Sequence, residues 1–250
     1  MAIKQTPRRA VEEIVSAPRL PAGDDERFLG YGAFGVPFSS GHYLALRDFV
    51  ASSVGPAFRA VWHRGPAGRW TIHTTTAPEL SCGRYFGSAI TDSVVPEIGV
   101  DWLSDWSLEV TVGDRLRWHL DLGRTPLTRL MTGVARLLPY DAWPGDSVLS
   151  AVGPPAGALL GTGRLRLEGA TPDGPRFRIA PRHVWRVVGG RATVDGVDIG
   201  HPAPLDQQTR LGDLWLPQRG LFFVGKTRFT PPASAGRTRP APAARTGVPS

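Results

Sequence analysis

Residues 81–98 concentrate the side chains best suited to chemistry on a small molecule: Ser-Cys-Gly-Arg-Tyr-Phe-Gly-Ser-Ala-Ile-Thr-Asp-Ser-Val-Val-Pro-Glu-Ile. Arg84 can orient a carboxylate or enolate oxygen, because its guanidinium presents a fixed fork of donors. Tyr85 and Asp92 can donate or accept protons. A second constellation lies at Arg117, His119 and Asp121, alternate residues of one run. There His119 can act as a general acid or base oriented by Asp121. His73, Thr91 and Trp118 are read as ligand contacts. Each catalytic role has a structural competitor: Arg84 pairing locally, Tyr85 packing, Asp92 capping a turn and His119 facing solvent.

Other chemistries find little support. The six histidines, His42, His63, His73, His119, His183 and His201, include no His-x-x-x-His pair. A zinc-protease arrangement is therefore not expected, and no metal site is assigned. Cys82 is the only cysteine, so neither an intrachain disulfide nor a cysteine metal cluster can form. No Gly-x-Ser-x-Gly elbow occurs. Gly30-Tyr-Gly32-Ala-Phe-Gly35 matches a dinucleotide fingerprint. The following Val36-Pro37-Phe38-Ser39-Ser40-Gly41 cannot start the required helix, so the stretch is read as a glycine-rich loop and no cofactor is expected.

These residues must be positioned by a β-rich body. Tyr43–Phe49, Phe58–His63, Arg69–Thr76, Ser107–Val112 and Leu116–Leu122 read as strands, with turn signals at Arg64–Gly68 and Gly113-Asp114. Leu116, Trp118, Leu120 and Leu122 form one apolar face of their strand. The period then changes. Thr125-Pro126 predicts a helix start, and Leu127, Leu130, Met131, Val134, Leu137 and Leu138 follow at helical spacing up to Pro139. A second helix is expected over Ser147–Leu160, capped by Asp146 and broken near Pro154-Pro155. The pair is read as packed on a sheet, with a lid or a membrane-facing hairpin as the alternative. Strands resume at Arg164–Glu168, Phe177–Val188, Arg191–Val194 and Leu214–Phe229, the last interrupted at Pro217 and Gly220. The expected class is α+β, mainly antiparallel: a curved sheet or barrel enclosing an apolar pocket, with a helical pair near 125–160.

The 250 residues are read as one such domain over 27–229, between a flexible tail at 1–26 and a disordered tail at 230–250 rich in Pro, Ala, Gly, Arg and Thr. A short helix within the first tail is placed at Ala10–Ser16. The net charge of +7 is spread without a block of like charges, so nucleic-acid binding is not expected. No apolar run is long enough for a membrane span and no signal-peptide pattern opens the chain, which makes the cytoplasm the expected location. Oligomerisation stays open. Lys4 and Lys226 are the only lysines, which leaves amine chemistry almost without candidates.

Gly83-Arg84 after a strand, followed by Pro96, resembles acetoacetate decarboxylase and its relatives. Leu211-Gly-Asp213-Leu-Trp-Leu-Pro217 before an apolar strand is similar to that family's final strand, and the likeness covers a third to a half of the chain. The resemblance implies a β-rich fold around a pocket. The family's chemistry uses paired lysines, the first forming a Schiff base and the second lowering its pKa by like charge. Here the corresponding proline and lysines fall on Ile90, Thr91 and Asp92. The glutamate after Gly-Arg is Tyr85, and the region of an earlier catalytic glutamate is Phe58-Arg59-Ala60. The chain therefore reads as a divergent relative without the Schiff-base lysine. It is expected to bind a small hydrophobic, carbonyl-bearing metabolite. A cofactor-free isomerisation, dehydration or cyclisation would fit, and decarboxylation would not. A non-catalytic, lipocalin-like ligand carrier or accessory protein is the competing reading, and whether the chain is an enzyme is left undecided.

Overall fold

The computed structural model describes residues 5–137, 139 and 142–231. The disordered segment expected at 230–250 lies, from residue 232 onward, outside the described residues, as does Leu138.

Helix α1 (Pro7–Ser16) precedes an antiparallel meander of β1 (Glu26–Pro37), β2 (Tyr43–Ser52), β3 (Phe58–Arg64) and β4 (Trp70–Thr74). The short helix α2 (Gly83–Phe86) leads to β5 (Asp92–Val94). A second meander follows: β6 (Ile98–Trp102), β7 (Ser107–Val112) and β8 (Leu116–Gly123). Helices α3 (Pro126–Leu137) and α4 (Asp146–Leu160) then precede β9 (Glu168–Ala170), β10 (Arg176–Val194), β11 (Val197–Asp198), β12 (Arg210–Leu211), β13 (Leu214–Trp215) and β14 (Leu221–Thr230).

The main sheet runs β5-β4-β3-β2-β1-β14-β10-β8-β7-β6. Every neighbouring pair in it is antiparallel except β4 with β5. The last strand is thus inserted between the first and the tenth. The sheet curls into a half-barrel, so that Arg59 of β3 reaches the carbonyl of Ile98 on β6 at 2.9 Å. The α+β class with a curved antiparallel sheet is the observed architecture.

Two cores follow from the two faces. The concave face is filled by Leu44, Leu46, Leu108, Trp118, Leu120 and Phe222, each fully buried. The other face is covered by Tyr85 and Phe86 of α2 and by Leu149, Ala156 and Leu160 of α4. An apolar pocket of about 50 Å³ remains beside α1, β1 and β14. A water occupies roughly 30 Å³, so this pocket is too small for a metabolite.

Several expectations change. The short helix expected at Ala10–Ser16 is α1, which starts three residues earlier, at Pro7. Thr6 caps it by accepting from the Arg9 amide at 3.3 Å, a proline opens its first turn, and Ala10 and Val11 are buried in the concave core. Gly30–Gly35 is not a loop but the middle of β1. A methyl group at Gly30 or Gly32 would overlap the carbonyl oxygens of Asp48 and Leu46 on β2. Glycine is there for close backbone approach, not for phosphate. Helix α4 runs through Pro154-Pro155 without a break. Both prolines are exposed, as is Ala151 one turn back, so a carbonyl left without its helical donor can turn to water. Of the strand expected at Arg164–Glu168, only Glu168 belongs to a strand, because β10 pairs with Glu168–Ala170 alone. Phe177–Val188 and Arg191–Val194 are one strand, β10.

Candidate functional site

The residues singled out from sequence occupy three places. At the first, α2 presents Arg84 and Tyr85 to Glu26, the opening residue of β1. Arg84 Nη2 lies 2.6 Å from Glu26 Oε1, and the Tyr85 hydroxyl donates to Oε2 at 2.7 Å. The Tyr85 ring stacks on Phe229 with centroids 3.7 Å apart. Burial, then the hydrogen bond to Glu26, pushes the phenol up, so it stays protonated. The Glu26 hydrogen bond and charge likewise raise Arg84. Both side chains are satisfied by one carboxylate that the sequence reading had assigned to a tail.

At the second place, Thr91 and Asp92 are exposed at the start of β5, where Asp92 stands opposite Thr71 of β4. His73, on β4, is buried at 5% exposure. It belongs to a histidine group rather than to Arg84. His42 Nδ1 and His63 Nε2 are 2.8 Å apart, one ring donating to the other. Burial, then the neighbouring His42 and His73, holds His63 down to about 4. His73 is lowered by burial and then by Arg115. Among the described residues, no group of three or more His, Cys, Asp or Glu is arranged to hold a metal ion.

At the third, β8 alternates as the sequence predicts. Trp118 is fully buried in the concave core, and its indole Nε1 has no partner. His119 faces the other way, with Nε2 3.1 Å from Asp121 Oδ1 and a buried, unpartnered Nδ1.

A fourth place, missed in the sequence, has the character of a binding site. Helix α3 begins with reciprocal threonine caps: the Thr128 amide donates to Thr125 Oγ1 at 3.1 Å and the Thr125 amide to Thr128 Oγ1 at 2.9 Å. The helix docks on β10 where the register shifts between Pro181 and His183. There the Val184 amide donates to Thr132 Oγ1 at 3.1 Å. Between helix and strand opens a cleft of about 230 Å³ bordered by Arg124, Arg129 and Arg136, with His183 and Gln5. None of its lining residues is acidic.

Two polar atoms beside this cleft lack partners. His183 Nδ1 and Gln5 Nε2 are buried and have no hydrogen-bond partner. Burial, then Arg136, pushes His183 down to about 4 against a weaker opposing pull from Glu13, so its imidazole is neutral at pH 7. Its ring stacks on Trp185 at 5.6 Å. Arg124 lies over Trp106 at 5.2 Å, and its pKa is lowered by burial and then by Arg129. Three arginines border the cleft and none of its lining residues is acidic, so its rim is basic. One signal in the sequence pointed here: Arg129 and Arg136 are seven residues apart, on one helix face, in a stretch from Gly123 to Leu137 without Asp or Glu. His183 and Gln5 left no such trace.

Lys226, the one lysine on a described strand, is buried in the small apolar pocket. It donates to the Ala142 carbonyl at 2.7 Å and lies 4.6 Å from the Trp143 ring centroid.

No family model matches this chain, and no curated protein matches it. Among solved structures, it is similar to the acetoacetate decarboxylase from Legionella pneumophila subsp. pneumophila str. Philadelphia 1 at 12% identity and a TM-score of 0.38, over 86% of this chain and 89% of that one. No helix among the described residues is long and apolar enough to cross a membrane.

Proposed function

We propose that this chain binds a small metabolite through a carboxylate or phosphate group held in the arginine-lined cleft between α3 and β10. The supporting observation is the meeting of three arginines with two buried polar atoms, His183 Nδ1 and Gln5 Nε2, that have no partner. A buried donor or acceptor left unsatisfied costs about 1–3 kcal/mol. An anion that accepts from Gln5 and the guanidiniums recovers that cost. Trp185 at the wall supplies an apolar surface for the rest of the ligand.

This keeps a small-molecule ligand but replaces the hydrophobic, carbonyl-bearing one expected from sequence with an anion, and moves it from an interior apolar pocket to a basic cleft, because large side chains fill the concave core. Binding without catalysis fits this cleft better than general acid-base chemistry. A His183 with pKa near 4 does not match a catalyst working near pH 7, and no carboxylate borders the cleft to act in its place. The accessory or carrier reading is therefore the one we adopt.

The test is a titration of tricarboxylates, dicarboxylates and pyrophosphate against their neutral esters or amides, read by the fluorescence of Trp106 and Trp185. Anions should bind and neutral analogues should not. Arg129→Gln or Arg136→Gln should weaken binding at least about tenfold, in line with a charge-assisted hydrogen bond. Equal binding of neutral analogues, or arginine variants that bind as well as the parent, would overturn the proposal.

A further inference from the structure

Helix α3 turns an apolar edge outward. Leu130, Val134 and Leu137 are 63%, 54% and 83% exposed. Their spacing of four and three residues places them on one face. Single exposed leucines are ordinary, but three aligned on one helix are not. The helix does not need this face for its own packing. Leu127 and Met131 pack on the core, Thr128 is buried, and Thr132 is tied to Val184. Beside the apolar edge stand Arg129 and Arg136, each preceding an exposed leucine. Helix α4 also exposes apolar residues, Val148 at 50% and Leu159 at 71%, and carries no charged residue from Ser147 to Leu160.

We propose that α3 seats this protein on an anionic lipid surface, with Leu130, Val134 and Leu137 inserted among the acyl chains and Arg129 and Arg136 against lipid phosphates. A helix of this kind lies in the interface and does not span it. Charge decides among the occupants. The chain beyond Pro231 carries Arg237, Arg239 and Arg245, no acid, and Val248 as its one large aliphatic residue. That composition offers the edge little apolar area and the arginines no counter-charge. A symmetric contact with a second copy through α3 would bring the arginines of both copies together, with no acid between Gly123 and Leu137 to pair with them. Anionic headgroups meet both requirements, and the arginines beyond Pro231 add to the same attraction. The inference stands on the exposed edge and does not need the cleft to hold a free anion.

Flotation of the full chain with vesicles of phosphatidylcholine alone, or of phosphatidylcholine and phosphatidylglycerol in equal parts, tests it. At least tenfold stronger partitioning onto the anionic vesicles is expected, weakening in high salt. The triple variant Leu130→Ser, Val134→Ser, Leu137→Ser should lose at least tenfold of that partitioning with its thermal midpoint unchanged, because the three side chains are exposed. Equal partitioning onto both vesicles, none onto either, or undiminished partitioning of the triple variant would overturn the proposal. So would a lipid-free dimer, seen by sedimentation velocity, that the triple variant abolishes. Free-anion binding by the triple variant reports on the cleft separately, so failure of either reading is distinguishable from failure of the other.

Discussion

His42 and His63 meet edge to edge, their rings 8° from parallel and 5.1 Å apart at the centroids, joined by the 2.8 Å contact between His42 Nδ1 and His63 Nε2. The hydrogen bond between them requires one neutral nitrogen to accept, and His63 is held neutral, with its pKa near 4. His183 has the same value. A histidine in the unfolded chain titrates near 6.5. As pH falls below about 6.5 the unfolded state therefore takes up protons first, and stability drops until the folded groups also titrate near 4.

Urea midpoints measured from pH 8 to pH 4 should stay flat down to about 6.5 and fall below it. Each of these two histidines should contribute on the order of 2 kcal/mol to the loss. His63→Asn should flatten the curve between pH 6 and 4. An unchanged slope in that variant would show that other groups carry the acid sensitivity.

Tyr85 and Glu26 should behave as a coupled structural pair. Tyr85→Phe is expected to cost about 1 kcal/mol, the worth of the lost hydrogen bond. Tyr85→Ala, which also removes the stack on Phe229, should cost about 3–5 kcal/mol. A double-mutant cycle with Glu26→Gln, read by chemical denaturation, should give a coupling of at least about 0.5 kcal/mol. Additivity would mean that the contact contributes nothing. Anion binding at the α3 cleft should survive Tyr85→Phe.

Glycines in this chain divide sharply by location. Gly30→Ala and Gly32→Ala force a methyl into carbonyl oxygens of β2. Each should cost at least about 3 kcal/mol or prevent folding. Gly133→Ala, in the interior of α3 with nothing within 4 Å of its added Cβ, should stabilise by about 0.5–1 kcal/mol. Thermal midpoints of the three variants check both directions.

Arg47 is a buried cation satisfied by neutral groups. It donates to the carbonyls of Ala33 at 2.8 Å and Leu46 at 2.9 Å, and its guanidinium lies over the rings of Phe34, Trp62 and Phe223. Burial lowers its pKa to about 10, which leaves it charged at neutral pH. Arg47→Ala should cost about 3–5 kcal/mol through the cavity and the orphaned carbonyls. Arg47→Lys should recover little of it, because an ammonium cannot stack on rings and reach two carbonyls at once. Full recovery in equilibrium unfolding would refute this account.

The parts of the fold that were legible in the sequence are those in which one face is wet. Strand β8 alternates buried and accessible residues through Leu116, Trp118, Leu120 and Leu122, and its pattern predicted it. Helix α3 begins at Pro126, directly after the Thr125 signal. Strand β1 was illegible because three glycines interrupt its pattern and nearly every residue is buried on both faces. Helix α4 was read as broken because proline rules describe interiors, and its prolines face water. Arg84 and Tyr85 were correctly seen to belong together, but Glu26 lies 58 positions from Arg84 and no local pattern connects them. The basic cleft joins residues at 5, 124–136 and 183–185, which only the docking of α3 on β10 makes neighbours.

The place of β14 has a consequence for how the chain is made. It is the last of the described strands in chain order, yet it forms the seam between β1 and β10. Until it arrives, the first half of the sheet ends at the open edge of β1 and the second half at the open edge of β10, each a template for mispairing. Glu26 must wait for Phe229 across some two hundred residues before its strand is bonded on both sides. A nascent chain released before Leu221 holds two half-sheets with no strand to hydrogen-bond β1 to β10, so premature termination should give aggregates rather than a smaller folded domain.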